Sequence, residues 1–323
     1  MAKVNVEMVR RFAEKVRNLD SANAELNFYS FTKDRQEIIE SDKYPSLNAS
    51  GVVDYFFATT MHNYGFWIGD TKGYVEPLYG NVVGKVFKGS DLLWVLSMNI
   101  YRERGAEFFD PRNLAELELY DFCRWIPEEY RFQDILTRYN MTVEYGKYCV
   151  RENIDIKNLI NIANRSDGVL QSFVSLISSM PGYNEDELFK KNLLLAMIFA
   201  NRPEKFLKVR PNEKWPPIVD YHLMRVALRL GLISLTWVEW DQIAKRKWVS
   251  EWVEAQIREV TFDAVEMVIE LSGKSMSEID FLLWSARKYC PEMTVPDCPR
   301  CVFNDVCQKR VELFQPVFRT TNY

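Results

Sequence analysis

Four cysteines, Cys290, Cys298, Cys301 and Cys307, stand in the pattern C-x7-C-x2-C-x5-C near the end of the chain, and the only others are Cys123 and Cys149. Thiolates so clustered suit a soft metal centre, because deprotonated sulfur ligates zinc or the irons of an iron–sulfur cluster. A second candidate is Asp220, just after Pro216 and Pro217 and at the head of "IVDYHLMRVALRLGLI" (Ile218 to Ile233). A carboxylate on backbone stiffened by proline can stabilise a growing positive charge or activate a water. Taken alone, an aspartate there reads more simply as an ordinary helix N-cap.

The elements that must position these residues are mostly helical, because apolar residues recur at helical spacing over most of the chain. Helices are expected at 3–17, 35–42, 92–105, 113–123, 129–140, 154–162, 167–179, 185–200, 220–231, 239–246, 249–257, 261–272 and 275–288. Between Tyr74 and Ser90, β-branched and aromatic residues separated by glycines predict one short β-hairpin. The expected fold class is therefore mainly α. Its regions are 1–112, which contributes to a substrate pocket, 113–235, which carries Asp220, and 236–323, which carries the cysteines.

Composition narrows the setting. A chain of 323 residues, 47% hydrophobic and 14% aromatic, can fill a large core. Its N-terminus reads as an amphipathic helix without the apolar centre of a signal peptide, and runs such as Leu193 to Ala200 are too short to span a bilayer. A cytoplasmic protein without a membrane partner is expected, and there clustered cysteines point to metal rather than disulfides. The net charge of −4 and pI near 5.5 disfavour DNA, whose binding is driven by phosphate neutralisation. Lys245-Arg246-Lys247 is the candidate basic face, and it reads more simply as a solvated helix end.

The segment "FLLWSARKYC…DCPRCVFNDVC" (Phe281 to Cys307) resembles the loop that closes endonuclease III-type DNA glycosylases, with a first gap one residue longer. The resemblance implies a [4Fe–4S] cluster on the four cysteines, of structural role, with Zn2+ as the alternative. Ile218 to Ile233 resembles the V-D-T-H-V-x-R-V-x-x-R-L-G-L stretch of helix-hairpin-helix DNA glycosylases. That similarity implies a glycosylase-like helical bundle, makes Asp220 catalytic, and places His222, Arg225 and Arg229 at neighbouring family positions.

The family's DNA-gripping hairpin corresponds to Met180 to Ala200. Here Pro181-Gly182 is kept, the second glycine is missing, and Asn184-Glu185-Asp186-Glu187 is inserted, with Asn184 and Glu187 expected to form a capping box. Lys191 aligns with the lysine that acts as lyase nucleophile in bifunctional members, beside Lys190. A phosphate contact or a solvated amine is the simpler reading of both, and lyase activity is not expected. Between the first two cysteines, Glu292 and Asp297 stand where the DNA enzymes are basic.

Across most of its length the chain is also similar to the queuosine salvage proteins, which are queuosine-nucleotide N-glycosylases. "TTMHNYGFW" (Thr59 to Trp67) resembles their T-D-x-L-N-F-x-F-W stretch, and later segments follow in the same order. This similarity implies that Asn63 bonds a base edge beside His62, while Tyr64, Phe66 or Trp67 stacks on the base. From the residues alone, Phe66 and Trp67 read as core. Lys190, Lys191, Arg225 and Arg229 are candidates for a phosphate clamp.

The expectation is an N-glycosylase hydrolysing a modified, queuosine-like nucleoside or its 5′-monophosphate. One alternative is a base-excision DNA glycosylase on duplex DNA, a partner that the charge disfavours. Another is a non-catalytic iron–sulfur protein on the same fold.

Overall fold

A computed structural model describes residues 1–19, 28–29, 43–70 and 73–323. The helix expected at 35–42 lies outside these residues. The protein is mainly α. β1 (Lys3–Val4) and α1 (Val6–Arg17) come first, and α2 (Val52–Thr60) leads into two antiparallel hairpins. β2 (Trp67–Asp70) pairs with β3 (Gly73–Pro77), and β4 (Tyr79–Val82) pairs with β5 (Lys85–Lys88). The helices α3 (Ser90–Arg104), α4 (Pro111–Ala115), α5 (Leu119–Trp125), α6 (Ile135–Arg151), α7 (Ile156–Arg165) and α8 (Val169–Ile177) follow. Next come α9 (Lys190–Asn201) and α10 (Tyr221–Leu230), then β6 (Ile233–Ser234), which pairs with β1. α11 (Trp237–Ala244), α12 (Glu251–Ser272) and α13 (Met276–Ser285) complete the helices, and a 3-10 turn (Ala286–Lys288) extends α13 towards the cysteines. No helix among the described residues is long and apolar enough to cross a membrane.

Two hydrophobic cores organise these elements. One gathers α2, α3 and α5 to α9. The other packs α1 against α10, α12 and α13 and takes in Phe303 of the cysteine segment, whose ring lies 5.0 Å from that of Phe12. α1 starts where Asn5 accepts from Met8 N–H, and it buries Met8, Val9, Phe12, Ala13 and Val16 along one stripe.

Several elements differ from the sequence expectation. Two hairpins replace the single one. α2 is buried nearly all round, so its sequence carries no polar face to reveal a helical period. α12 runs unbroken through the gap expected between 257 and 261, where Thr261 Oγ1 donates to Ile257 O and so fits within the helix. The stretch 113–123 divides into α4 and α5. α4 presses so closely on α6 that a Cβ on Gly146 would lie 2.3 Å from Ala115 N, so only glycine fits there.

The expected Asn184–Glu187 capping box is absent, because the helix begins later, at Lys190. The N-cap is Phe189, which makes no side-chain cap bond, and Asp186 accepts from Leu188 N–H at 3.0 Å and from Lys190 N–H at 2.7 Å.

Candidate active site

Asp220 caps α10, with Oδ1 accepting from Leu223 N–H at 2.9 Å. Gly231 ends that helix in the left-handed conformation that glycine adopts without cost, at φ +87°. Asp220 lines a small cavity of about 60 Å³ with Tyr221, His222, Asn63, Phe66 and Lys190. Its other walls are Lys88, Gly89 and Ser90 from the second hairpin and the start of α3, Trp284 and Arg287 from the end of α13, Glu292, and Tyr323. It lies where α9 of one core meets α10 and α13 of the other.

Lys190 is fixed from both ends. Its N–H is held by Asp186, itself gripped by Arg258 of α12 through bonds of 2.6 and 2.7 Å. Its Nζ donates to Asn63 O and Oδ1, both at 2.6 Å. Burial lowers the Lys190 amine to about 8, against the opposing pull of Asp220. An ammonium can only donate, so Asn63 must turn its oxygen to Lys190, which leaves Nδ2 to donate into the cavity.

His222 lines the cavity, yet both ring nitrogens are engaged. Nδ1 accepts from Arg225 Nη2 at 2.6 Å, and Nε2 donates to Leu283 O at 3.2 Å. Burial first, then the Arg225 charge, lowers its pKa, so it stays a neutral scaffold.

Several expected site residues lie elsewhere. His62 is fully buried, bonded to Thr142 Oγ1 and packed edge-on against Phe122 and Trp125. Tyr64 is buried beneath the Arg138 guanidinium, 3.8 Å from its ring centroid. Trp67 belongs to a separate cluster with Phe314 and Val317. Aromatic bodies fill a core as readily as they stack on a base, and here packing claims all three. Phe66 is buried in the core, as read from the residues, and is also the aromatic of that segment that lines the cavity.

Lys191 is paired with Glu185 at 3.1 Å, so Lys190, one position earlier, is the lysine beside Asp220. Arg225 is fully buried against Gln315, His222 and Glu292. Arg229 donates to Leu313 O, Pro291 O and Cys290 Sγ. These two arginines tie α10 to the cysteine segment and do not line the cavity.

The cavity cations that sequence reasoning missed are Lys88 and Arg287. Lys88 pairs with Glu292 at 2.6 Å, and Arg287 lies 3.4 Å over the Trp284 ring. Glu292 thus turns inward, and against the opposing effect of burial Arg225 and then Lys88 draw its carboxyl below the usual range. No residue spacing links Lys88 to Glu292, so this contact had no sequence signal.

The four clustered cysteines fold into one neighbourhood. Cys307 feels the charges of Cys290, Cys298 and Cys301. Cys290 and Cys307 each accept an N–H···S bond of 3.2 Å, from Arg229 and from Lys309 N. Among the described residues no three His, Cys, Asp or Glu side chains converge closely enough to chelate an ion. In donor type the four thiols match a thiolate-bound centre.

The inserted acids line a second feature, an open groove of about 660 Å³. Seven carboxylates, Glu185, Asp186 and Glu187 among them, face Arg258 and Arg319 there. Both arginines are already paired, with Asp186 and Asp134. Lys245 pairs with Asp241, and Arg246 covers Phe314, so the candidate basic face is partly spent internally.

No known family model matches this chain. No curated protein matches it significantly.

Proposed function

We propose that the protein is an N-glycosylase that hydrolyses a modified nucleoside or nucleoside 5′-monophosphate, on a helix-hairpin-helix glycosylase-like frame with a C-terminal [4Fe–4S] cluster. One observation carries the reading: Asp220 lines a small walled cavity with Asn63, Phe66 and Lys190, not an open basic groove.

Cleavage of an N-glycosidic bond passes through an oxocarbenium-like state. Asp220 would stabilise its positive charge and receive the proton of the attacking water, with Oδ2 free of any protein donor among the described residues. Asn63 Nδ2 would donate to an acceptor on the base edge, and Phe66 and Trp284 offer aromatic faces. Lys88 and Arg287 are the cations placed for a phosphate. Small-molecule sites usually measure about 300 Å³ or more, so a cavity of 60 Å³ has to widen on binding. Lys88 is the natural moving part. It is the more exposed partner of its pair with Glu292, whereas Arg225 holds Glu292 from inside.

Cys290, Cys298, Cys301 and Cys307 would hold the cluster, with Zn2+ the alternative occupant. Its contribution is a cross-link that fixes the segment bonded to α10 through Arg225 and Arg229. The duplex-DNA reading rests on the cluster-loop and Asp220 motifs and is opposed by the acidic groove. Titrating the protein with duplex DNA at two salt concentrations and with 5′-mononucleotides decides between them. Saturable mononucleotide binding without salt-sensitive DNA binding is expected, and tight DNA binding that weakens steeply with salt would reverse the choice.

A further inference from the structure

A second carboxyl stands beside Asp220. Asp280 lies on α13, four residues before Trp284 and seven before Arg287, and both of those line the cavity. That spacing puts the three on one helical face. α13 packs against α10, and Asp280 is close enough to Asp220 and to Lys190 of α9 to feel both charges. It is half-buried, and no hydrogen bond or ion pair holds it among the described residues. Asp280 is not among the residues that line the cavity as it stands, so it meets a substrate when the cavity widens on binding.

We infer that Asp280 is the general acid of the reaction, protonating the departing heterocycle while Asp220 serves the water. This rests on the N-glycosylase reading. The C1′–N bond breaks with its electron pair going to the base, which takes the Asp280 proton. A water oxygen bonds to C1′, and its surplus proton passes to Asp220. Exchange with solvent then returns a proton to Asp280 and removes one from Asp220, so one water is consumed for one free base and one sugar.

Two carboxyls in unlike environments divide acid and base roles in this way in many glycosidases. Burial, reinforced by the Asp220 charge and opposed by Lys190, pushes Asp280 up to about 7, so it carries a proton near neutrality while Asp220 keeps its helix cap.

The test has two arms. Carboxyl titration of the intact protein, by infrared difference spectroscopy, should show a group near pH 7 that is missing in Asp280→Asn and moves down in Asp220→Asn. The absence of that group in the wild type overturns the assignment, whatever the activity.

In the second arm, Asp280→Asn should lower kcat/KM about 10²- to 10³-fold on a nucleoside 5′-monophosphate that the wild type cleaves. It should cost no more than about threefold on 4-nitrophenyl ribofuranoside, whose leaving group needs no proton. The wild-type rate should fall as pH rises through 7, and the variant should lose that limb. Equal losses on both substrates would make Asp280 structural and overturn the inference. A wild type that cleaves no nucleoside, nucleotide or riboside refutes the N-glycosylase reading itself, and the role of Asp280 falls with it.

Discussion

Asp220→Asn keeps an amide oxygen to accept from Leu223 N–H, so it separates the helix cap from the chemistry. Asp280 makes a prediction about stability. Its folded pKa of about 7 lies above the ordinary value near 3.9, so the folded state binds this proton more tightly than the unfolded chain does. The resulting stabilisation is present below about pH 4 and is lost as pH rises towards 7. Asp280→Asn should therefore melt higher than the wild type at pH 8, and the difference should vanish near pH 4 in a thermal-melt series. A variant that melts lower at pH 8 would contradict the burial argument.

At this scale the sequence was legible where a motif fixed a position, as at Asp220 and Asn63, which share the cavity. It was illegible at Lys190 and Lys191, neighbours on a helix that differ by about 100° in direction. Their partners separate them: Lys190 Nζ reaches Asn63 and Lys191 Nζ reaches Glu185.

The Asp186–Arg258 pair acts between elements, joining the start of α9 to α12. Both side chains are nearly inaccessible and doubly bonded to each other. Removing one partner of such a pair typically costs about 3–5 kcal/mol, because the other charge is left buried alone. Arg258→Ala should therefore lower the unfolding free energy by about that amount in a urea titration. A loss below about 1 kcal/mol would show that the pair does not anchor α9. Long amphipathic helices such as α1 and α10 were readable from their periodicity and caps. α2 was not, because a helix buried on all sides shows no polar period. The division of 113–123 depends on α4 meeting Gly146 of α6, a contact no local pattern records.

For the molecule as a whole, two features of opposite kind surround the cavity. The cysteine segment anchors α10 from behind, while the acidic groove gives the surface near the start of α9 a charge that repels phosphate backbone. Protein purified without oxygen should be brown, with about four irons per chain as one four-thiolate cluster holds. Cys301→Ser should bleach it and lower its melting temperature. Colourless protein with one zinc per chain would replace the cluster by zinc.

The central claim is hydrolysis at Asp220, and base release tests it most directly. The intact protein is incubated with a panel of nucleosides and 5′-monophosphates, 7-deazaguanine types included, and with lesion-bearing duplex DNA, and free base is measured by chromatography. The account predicts base from at least one mononucleoside or mononucleotide, a rate about 10²- to 10³-fold lower in Asp220→Asn, and none from the duplex. Base released from the duplex and from no mononucleoside or mononucleotide, or full activity in Asp220→Asn, would contradict it.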